Sequence, residues 1–293
     1  MELAGTYTAL VTPFVDDAAR SIDWAAYDAL LDTQLRGKVE GLVPCGTTGE
    51  TPTLSEAEQS ELVRRTVAHV AGKIHVIAGV GSNSTAHTIH LAKAAEAAGA
   101  HALMVVVPYY NKPSQDGIAL HFAAVAASTG LPIVAYNVPS RTVADMQVDT
   151  LLRVLERAPN VIAVKEATGN VLRAQELARR AGDRLTILCG DDALTLPMIA
   201  VGARGVISVT SNVLPTEVAL ATRLALAGEL EEARKAHHAL LPLHEAMFLE
   251  PNPAPAKAAL QRLGIGTGLT RLPMMPASPA VIERLGALLE SRR

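Results

Sequence analysis

Eight short apolar runs rich in β-branched residues constrain this chain more than any other feature: Thr6–Phe14, Gly41–Thr47, His75–Gly81, Ala102–Tyr110, Pro132–Asn137, Val161–Lys165, Leu185–Gly190 and Gly205–Thr210. They do not alternate apolar with polar, so each reads as a strand covered on both faces, the condition of a parallel sheet wrapped in helices. Between them lie amphipathic segments that open at a cap and close at glycine or proline. Ser55 and Glu58 make a capping-box pair ahead of Leu62, Val63, Val67 and Val70, and Gly72 closes that segment. Asp23 opens another, with Trp24, Tyr27, Leu30 and Leu31 running towards Gly37, and Ala86–Ala98 closes at Gly99.

Eight strand-then-helix units predict an α/β fold of the (β/α)8 TIM-barrel type, for which about 250 residues is usual. An open doubly wound sheet uses the same units, but no Gly-x-Gly-x-x-Gly follows the first run. Strand signals end near Ala225. Beyond it Glu229–Leu249 reads as a helix with a kink at Pro242, Pro251-Asn252-Pro253-Ala254-Pro255 breaks the pattern, and Ala256–Leu263 and Ser278–Ser291 read as further helices. The expected division is a barrel over residues 1–224 and a small C-terminal helical extension over 225–293, too short to fold well alone.

Composition narrows the function classes. At 49% hydrophobic and 19% charged, the chain can bury a large core. Its longest uncharged apolar run, Ala102–Pro108, is too short to cross a bilayer, and Met1-Glu2-Leu3 has no basic flank of a signal peptide, so no membrane partner and a cytoplasmic location are expected. Net charge is −3 with Lys and Arg scattered singly, which leaves no basic stripe for nucleic acid and points to small-molecule partners. Cys45 and Cys189 read as buried, reduced thiols. His87 with His90, and His237, His238 and His244, have no carboxylate-rich cluster beside them, so no metal site is expected.

In such a barrel the chemistry gathers at the C-terminal ends of the strands, so the polar residues that interrupt each run share one mouth. These are Gly46-Thr47-Thr48-Gly49-Glu50, Tyr109-Tyr110-Asn111, Tyr136-Asn137-Val138-Pro139-Ser140-Arg141, Lys165-Glu166, Gly190-Asp191-Asp192 and Ser208. Lys165 is the sharpest, because Val161-Ile162-Ala163-Val164 runs directly into it. Burial disfavours an ammonium's charge and so makes a lysine nucleophilic towards carbonyls. Pairing with Glu166, or snorkelling to the surface, is the other reading, although strand neighbours face opposite ways. Tyr136 and Tyr110 stand out in a chain only 3% aromatic, as proton carriers or as core fillers. The Thr47-Thr48 turn offers hydroxyls and N–H groups to a carboxylate, and Arg141 suits a bidentate clamp or plain exposure. Asp191 and Asp192 read as caps of the next helix.

Three of these segments together resemble the dihydrodipicolinate synthase and N-acetylneuraminate lyase superfamily of class I pyruvate aldolases. They are Gly46-Thr47-Thr48-Gly49-Glu50, Tyr136-Asn137-Val138-Pro139-Ser140-Arg141-Thr142 and Lys165-Glu166-Ala167-Thr168-Gly169, within a likeness from Gly5 to Thr210 and a weaker echo in Asn252-Pro253 and Leu272-Pro273. The dihydrodipicolinate synthase branch is the nearer. The resemblance implies a Schiff base between Lys165 and pyruvate, with Tyr136 moving protons and Thr47 and Tyr110 completing a relay. Thr48 and Ile207 would bind pyruvate, and Arg141 would hold the carboxylate of aspartate semialdehyde. It implies a second tyrosine entering from a neighbouring subunit, hence a tight dimer and usually a homotetramer. No metal or organic cofactor is implied, because the lysine is the electron sink.

Two departures matter. Val143 stands where many members carry glycine. In lysine-inhibited members of one common type, positions matching Glu56, Gln59 and His87 carry two histidines and a glutamate, although Asn83 and Tyr109 match, so weak lysine feedback is expected. The competing functions are a sialic acid lyase or keto-deoxy sugar acid aldolase with the same lysine, a metal-dependent aldolase, and a silent barrel that only binds small acids. Arg141 argues against the sugar-acid enzymes, whose polyhydroxylated aldehydes call for hydroxyl partners instead.

Overall fold

The computed structural model describes residues 1–292. Eight parallel strands, β1 (Gly5–Ala9), β2 (Gly41–Val43), β3 (His75–Gly79), β4 (Ala102–Val106), β5 (Ile133–Asn137), β6 (Val161–Glu166), β7 (Thr186–Cys189) and β8 (Gly205–Ser208), pair in sequence order and close β8 onto β1. Helices α1 (Trp24–Gly37), α2 (Glu56–Val70), α3 (Thr85–Ala97) and α4 (Gln115–Ala126) follow the first four strands. The one-turn α5 (Pro139–Thr142) and then α6 (Val148–Arg157) follow β5, and α7 (Val171–Ala181), α8 (Thr195–Ala200) and α9 (Pro215–Leu226) follow the last three strands. The fold is the (β/α)8 barrel.

Capping chemistry sets the helix starts. Asp23 accepts from the Ala26 N–H, and Ser55 and Glu58 form the reciprocal capping box that the sequence announces. Ser84 caps α3, one residue earlier than the apolar pattern suggested. After α9 the chain adds α10 (Leu230–Ala246), α11 (Ala254–Arg262) and α12 (Pro279–Glu290). α10 runs on through Pro242 as one helix.

The strands are shorter than their apolar runs. After Ala9, Val43 and Val106 the chain leaves the ladder while staying buried, as at Val11, Phe14 and Val107.

Two apolar clusters follow from period-two alternation. Leu42, Leu103, Ile133, Ala135, Val164 and Val206 face outward into the layer under the helices. Val43, Met104, Val134, Tyr136, Ala163, Leu188 and Ile207 fill the barrel interior. Lys165 lies two places after Ala163 and therefore points inward with it, while Glu166 points out. The pairing register places Tyr136 opposite Lys165 on one side and Leu188 on the other.

Candidate active site

Lys165 is 5% exposed, and its Nζ lies 4.3 Å from the centroid of the Tyr136 ring. Register brings them together, and a cation over an aromatic face is electrostatically favourable. Among the described residues no carboxylate pairs with this ammonium. Glu166, its sequence neighbour, binds Arg173 on the outer face, Oε2 to Nε 2.9 Å, and buried Glu50 binds Lys257. Neither the ion pair with Glu166 nor a surface position describes Lys165. Beside it, a Cβ on Gly190 would stand 2.6 Å from Ala167 Cβ and 3.2 Å from Lys165 Cγ, so only glycine leaves the lysine stem its room.

The turn after β2 carries Thr47 and Thr48. It is a 3-10 turn over Thr47–Gly49, followed by Glu50 at φ +57. Thr12 Oγ1 donates to the Gly49 carbonyl at 2.7 Å, and the Thr51 hydroxyl donates to the carbonyls of Cys45 and Gly46. A Cβ on Gly79 would come within 2.1 Å of the Cys45 carbonyl oxygen, so β3 must offer glycine where this turn crosses it.

A cavity of about 590 Å³ opens over the barrel. Thr47, Tyr109, Tyr136 and Arg141 line it, together with Glu56, Gln59 and His87 from α2 and α3. Tyr136 belongs both to this lining and to the barrel interior. Lys165, Thr48 and Ile207 are outside the lining; Thr48 is 3% and Ile207 1% exposed. Tyr110 stands apart from the rest, 88% exposed at φ +72 and outside the cavity lining of its own chain, where Tyr109 stands instead.

Arg141 is exposed on α5. The loop behind it is tied down by groups that the apolar pattern did not single out. Asn137 Nδ2 donates to Asp145 Oδ1 at 2.8 Å, Asn137 Oδ1 accepts from Met146 N at 3.0 Å, and the Arg173 guanidinium donates to the Met146 carbonyl. The outward face of β5 and β6 thus anchors the loop that follows Arg141. Val143 ends α5 in the left-handed region, φ +62.

The aspartates after β7 divide. Asp191 is a cap, accepting from Ala193 N at 3.1 Å, and its carboxyl is raised above the usual range by burial. Asp192 is not a cap: it is 3% exposed and accepts from the Ser208 hydroxyl, from Val209 N at 2.8 Å and from Thr210 N at 3.2 Å, joining the ends of β7 and β8. The sequence pattern missed this because the bonds cross two strands. His244 Nδ1 lies 2.8 Å from Thr210 Oγ1, His237 Nε2 donates to the Ala193 carbonyl at 3.1 Å, and Glu56 faces His87 and His90 at 3.7 and 3.0 Å. Both cysteines are buried and free, and burial pushes the Cys45 thiol up to about 12.

The C-terminal extension reaches this mouth, which no periodicity foretold. Asn252 Nδ2 donates to Thr48 Oγ1 at 2.9 Å. Lys257, 3% exposed, pairs with Glu50 and sits 3.9 Å over the Phe14 ring, while Glu50 Oε2 accepts from Arg271 N at 2.9 Å. The mouth thus gathers a buried lysine over a phenol ring with a cavity lined by Thr47, Tyr136 and Arg141, the residue types that a carbonyl-adding, acid-binding site needs.

The sequence model of the Dihydrodipicolinate synthetase family matches residues 2–292. The chain is similar to a 4-hydroxy-tetrahydrodipicolinate synthase of Sorangium cellulosum, 57% identical over 296 residues that cover 100% of this chain and 98% of that relative. Among solved structures it resembles the 4-hydroxy-tetrahydrodipicolinate synthase of the methanotroph Methylacidiphilum fumariolicum SolV, with TM-score 0.96, 46% identity and 99% and 95% of the two chains covered. It also resembles a dihydrodipicolinate synthase described as the first monomeric variant, with TM-score 0.95, 40% identity and 98% and 96% covered.

Proposed function

This chain belongs to the dihydrodipicolinate synthetase family, and from that premise we propose how its residues carry the reaction. It is a lyase that condenses pyruvate with L-aspartate 4-semialdehyde to give 4-hydroxy-tetrahydrodipicolinate, on the diaminopimelate route to lysine. Lys165 Nζ adds to C2 of pyruvate, and the carbinolamine loses water to leave an iminium. That cation draws electron density from C3, whose proton departs to give an enamine. Enamine C3 attacks the aldehyde carbon of the second substrate. The amino group of that substrate then adds at C2, closes the ring and releases Lys165.

Carbinolamine formation, its dehydration and the release of the lysine move protons on and off oxygen and nitrogen, and enamine formation takes one from C3. Tyr136, paired with Lys165 across the β5–β6 ladder, is placed to carry them. Thr47 lines the same cavity, and in the proposed relay it passes protons between that phenol and Tyr110. The exposure of Tyr110 supports a reading in which it completes the relay of a second copy, so that the active unit is a tight dimer and two dimers form a homotetramer. Thr48 and Ile207 bind pyruvate and Arg141 clamps the carboxylate of the aldehyde. The barrel, residues 1–224, carries the chemistry and residues 225–293 brace it. Among the described residues no helix is long and apolar enough to cross a membrane, in keeping with a cytoplasmic enzyme.

One observation carries the reading: a buried lysine at a strand end, held over a tyrosine ring with no carboxylate to neutralise it. The test is a borohydride trap with pyruvate followed by peptide mass spectrometry. An adduct on Lys165, with turnover of aspartate semialdehyde, is expected. An adduct elsewhere, or none, overturns the mechanism.

A further inference from the structure

A hydroxyl group has one hydrogen to donate and lone pairs to accept with, and its surroundings decide which way it is used. Thr48 is buried, and the bond that fixes its side chain comes from Asn252, whose amide nitrogen donates to Oγ1 at 2.9 Å. Having accepted there, the hydroxyl keeps its own proton, and among the described residues no acceptor takes it. Asn252 is itself 5% exposed, and its Oδ1 has no hydrogen-bond partner. The opposite orientation of the amide would let Thr48 donate to Oδ1 and would use up that proton. The structure holds the orientation that leaves an acceptor unsatisfied and the threonine proton free.

We propose that Asn252 is a positioning residue for pyruvate: by occupying the acceptor side of Thr48 it reserves the threonine proton for the substrate carboxylate. This rests on the reading of Thr48 as a pyruvate ligand. The carboxylate is an acceptor only, so a threonine polarised the other way has nothing to offer it. The surroundings hold the two segments together. Asn252 comes from the segment between α10 and α11, and five residues later Lys257 grips Glu50, two residues after Thr48. The turn and the amide are thus fixed to each other from both sides.

Steady-state kinetics on four variants test this, each at saturating aldehyde, with pyruvate varied and folding followed by circular dichroism. Thr48→Val is expected to raise the pyruvate KM about tenfold, the loss of a hydrogen bond to a charged group. Asn252→Ala is expected to raise it about fivefold with kcat within about twofold, because the effect lies in binding. In the Thr48→Val background, Asn252→Ala is expected to change KM by less than about twofold, since its influence runs through the threonine. Asn252→Asp keeps the shape but offers only acceptors, and is expected to raise KM more than the alanine variant does; it serves also if the alanine variant fails to fold.

A normal pyruvate KM in folded Asn252 variants, beside a raised one in Thr48→Val, overturns the inference alone. So does an Asn252→Ala effect that persists undiminished without the threonine hydroxyl. A normal KM in Thr48→Val removes the Thr48 hydroxyl from pyruvate binding, and the role of Asn252 goes with it.

Discussion

Among the described residues two lysines are buried, each over an aromatic ring, and their surroundings are opposite. At the barrel mouth Lys165 lies over Tyr136 with no carboxylate among the described residues to hold it. At the seam with the C-terminal extension Lys257 lies over Phe14 and is bound to Glu50. Burial pulls the Lys257 ammonium down to about 8, and the Glu50 carboxylate opposes that pull and keeps the charge. A buried ammonium with its counter-ion is a fixed strut. Without one, the nitrogen is at liberty to meet a carbonyl. What separates the two is a partner, not burial and not the aromatic floor, and it is the unpartnered Lys165 that the proposed mechanism uses as its nucleophile.

Exchanging the two roles by mutation is the hardest test of that contrast. Lys165→Ala is expected to lower turnover by at least about a thousandfold and to abolish the borohydride adduct while the thermal transition stays near that of the parent. Turnover that survives would erase the distinction. Lys257→Met does the reverse: it strands the Glu50 charge in a dry seam and is expected to cost about 3–5 kcal/mol in denaturant unfolding. The protein that remains folded still forms the adduct on Lys165. Adding Glu50→Gln to that variant removes the stranded charge and is expected to recover part of the loss, which would locate the cost in the unpaired carboxylate.

Acid should find the structural regions before the mouth. Burial holds His121 down to about 4, and His237 and His244 are lowered for the same reason. Below the ordinary value of 6.5 the unfolded histidines take protons that the folded ones refuse, so stability falls as pH drops from 6.5 towards 4. His121 alone is expected to contribute roughly 3 kcal/mol to that fall. Melting curves from pH 7 to pH 4 check it, and His121→Leu should flatten the profile. A profile unchanged by that substitution would place the acid sensitivity elsewhere.

The smallest effect returns to the mouth. Val143 holds a left-handed φ that a β-branched side chain adopts only with strain, so Val143→Gly is expected to stabilise the protein by about 1 kcal/mol. If that strain helps to aim Arg141, the KM for the aldehyde rises in the same variant while the KM for pyruvate does not. Lysine is expected to inhibit only weakly, because Glu56 and His87 reverse the charges expected at those positions of lysine-inhibited enzymes; a titration of activity with lysine reads this directly.

The contrast between the two lysines also marks what a sequence discloses. Eight covered strands were legible because an apolar run without alternation has few other homes, and Lys165 was legible because it ends one of them. Where the strands stop was not, since Val11, Phe14 and Val107 stay apolar after leaving the ladder. Asp192 resembled a cap because its neighbour Asp191 is one, yet its bonds go to the end of another strand. Asn252 carries only the faint Asn252-Pro253 echo of the family, which says nothing of what it touches, and Lys257 carries no local signature. Their partners lie 204 and 207 positions away, and periodicity is blind to such distances.

That separation has a consequence in time. A ribosome makes Thr48 early and Asn252 late, and at about 5–20 residues per second the interval is roughly 10 to 40 seconds. Strand β1 waits for β8 as well, so the newborn chain holds its threonine turn, its lysine strand and an open sheet edge before anything can complete them. A residue made some two hundred positions later thus fixes the hydroxyl of a much earlier turn. A chain that stopped short of Asn252 would therefore lack both the amide that holds the Thr48 hydroxyl and the ammonium that answers Glu50.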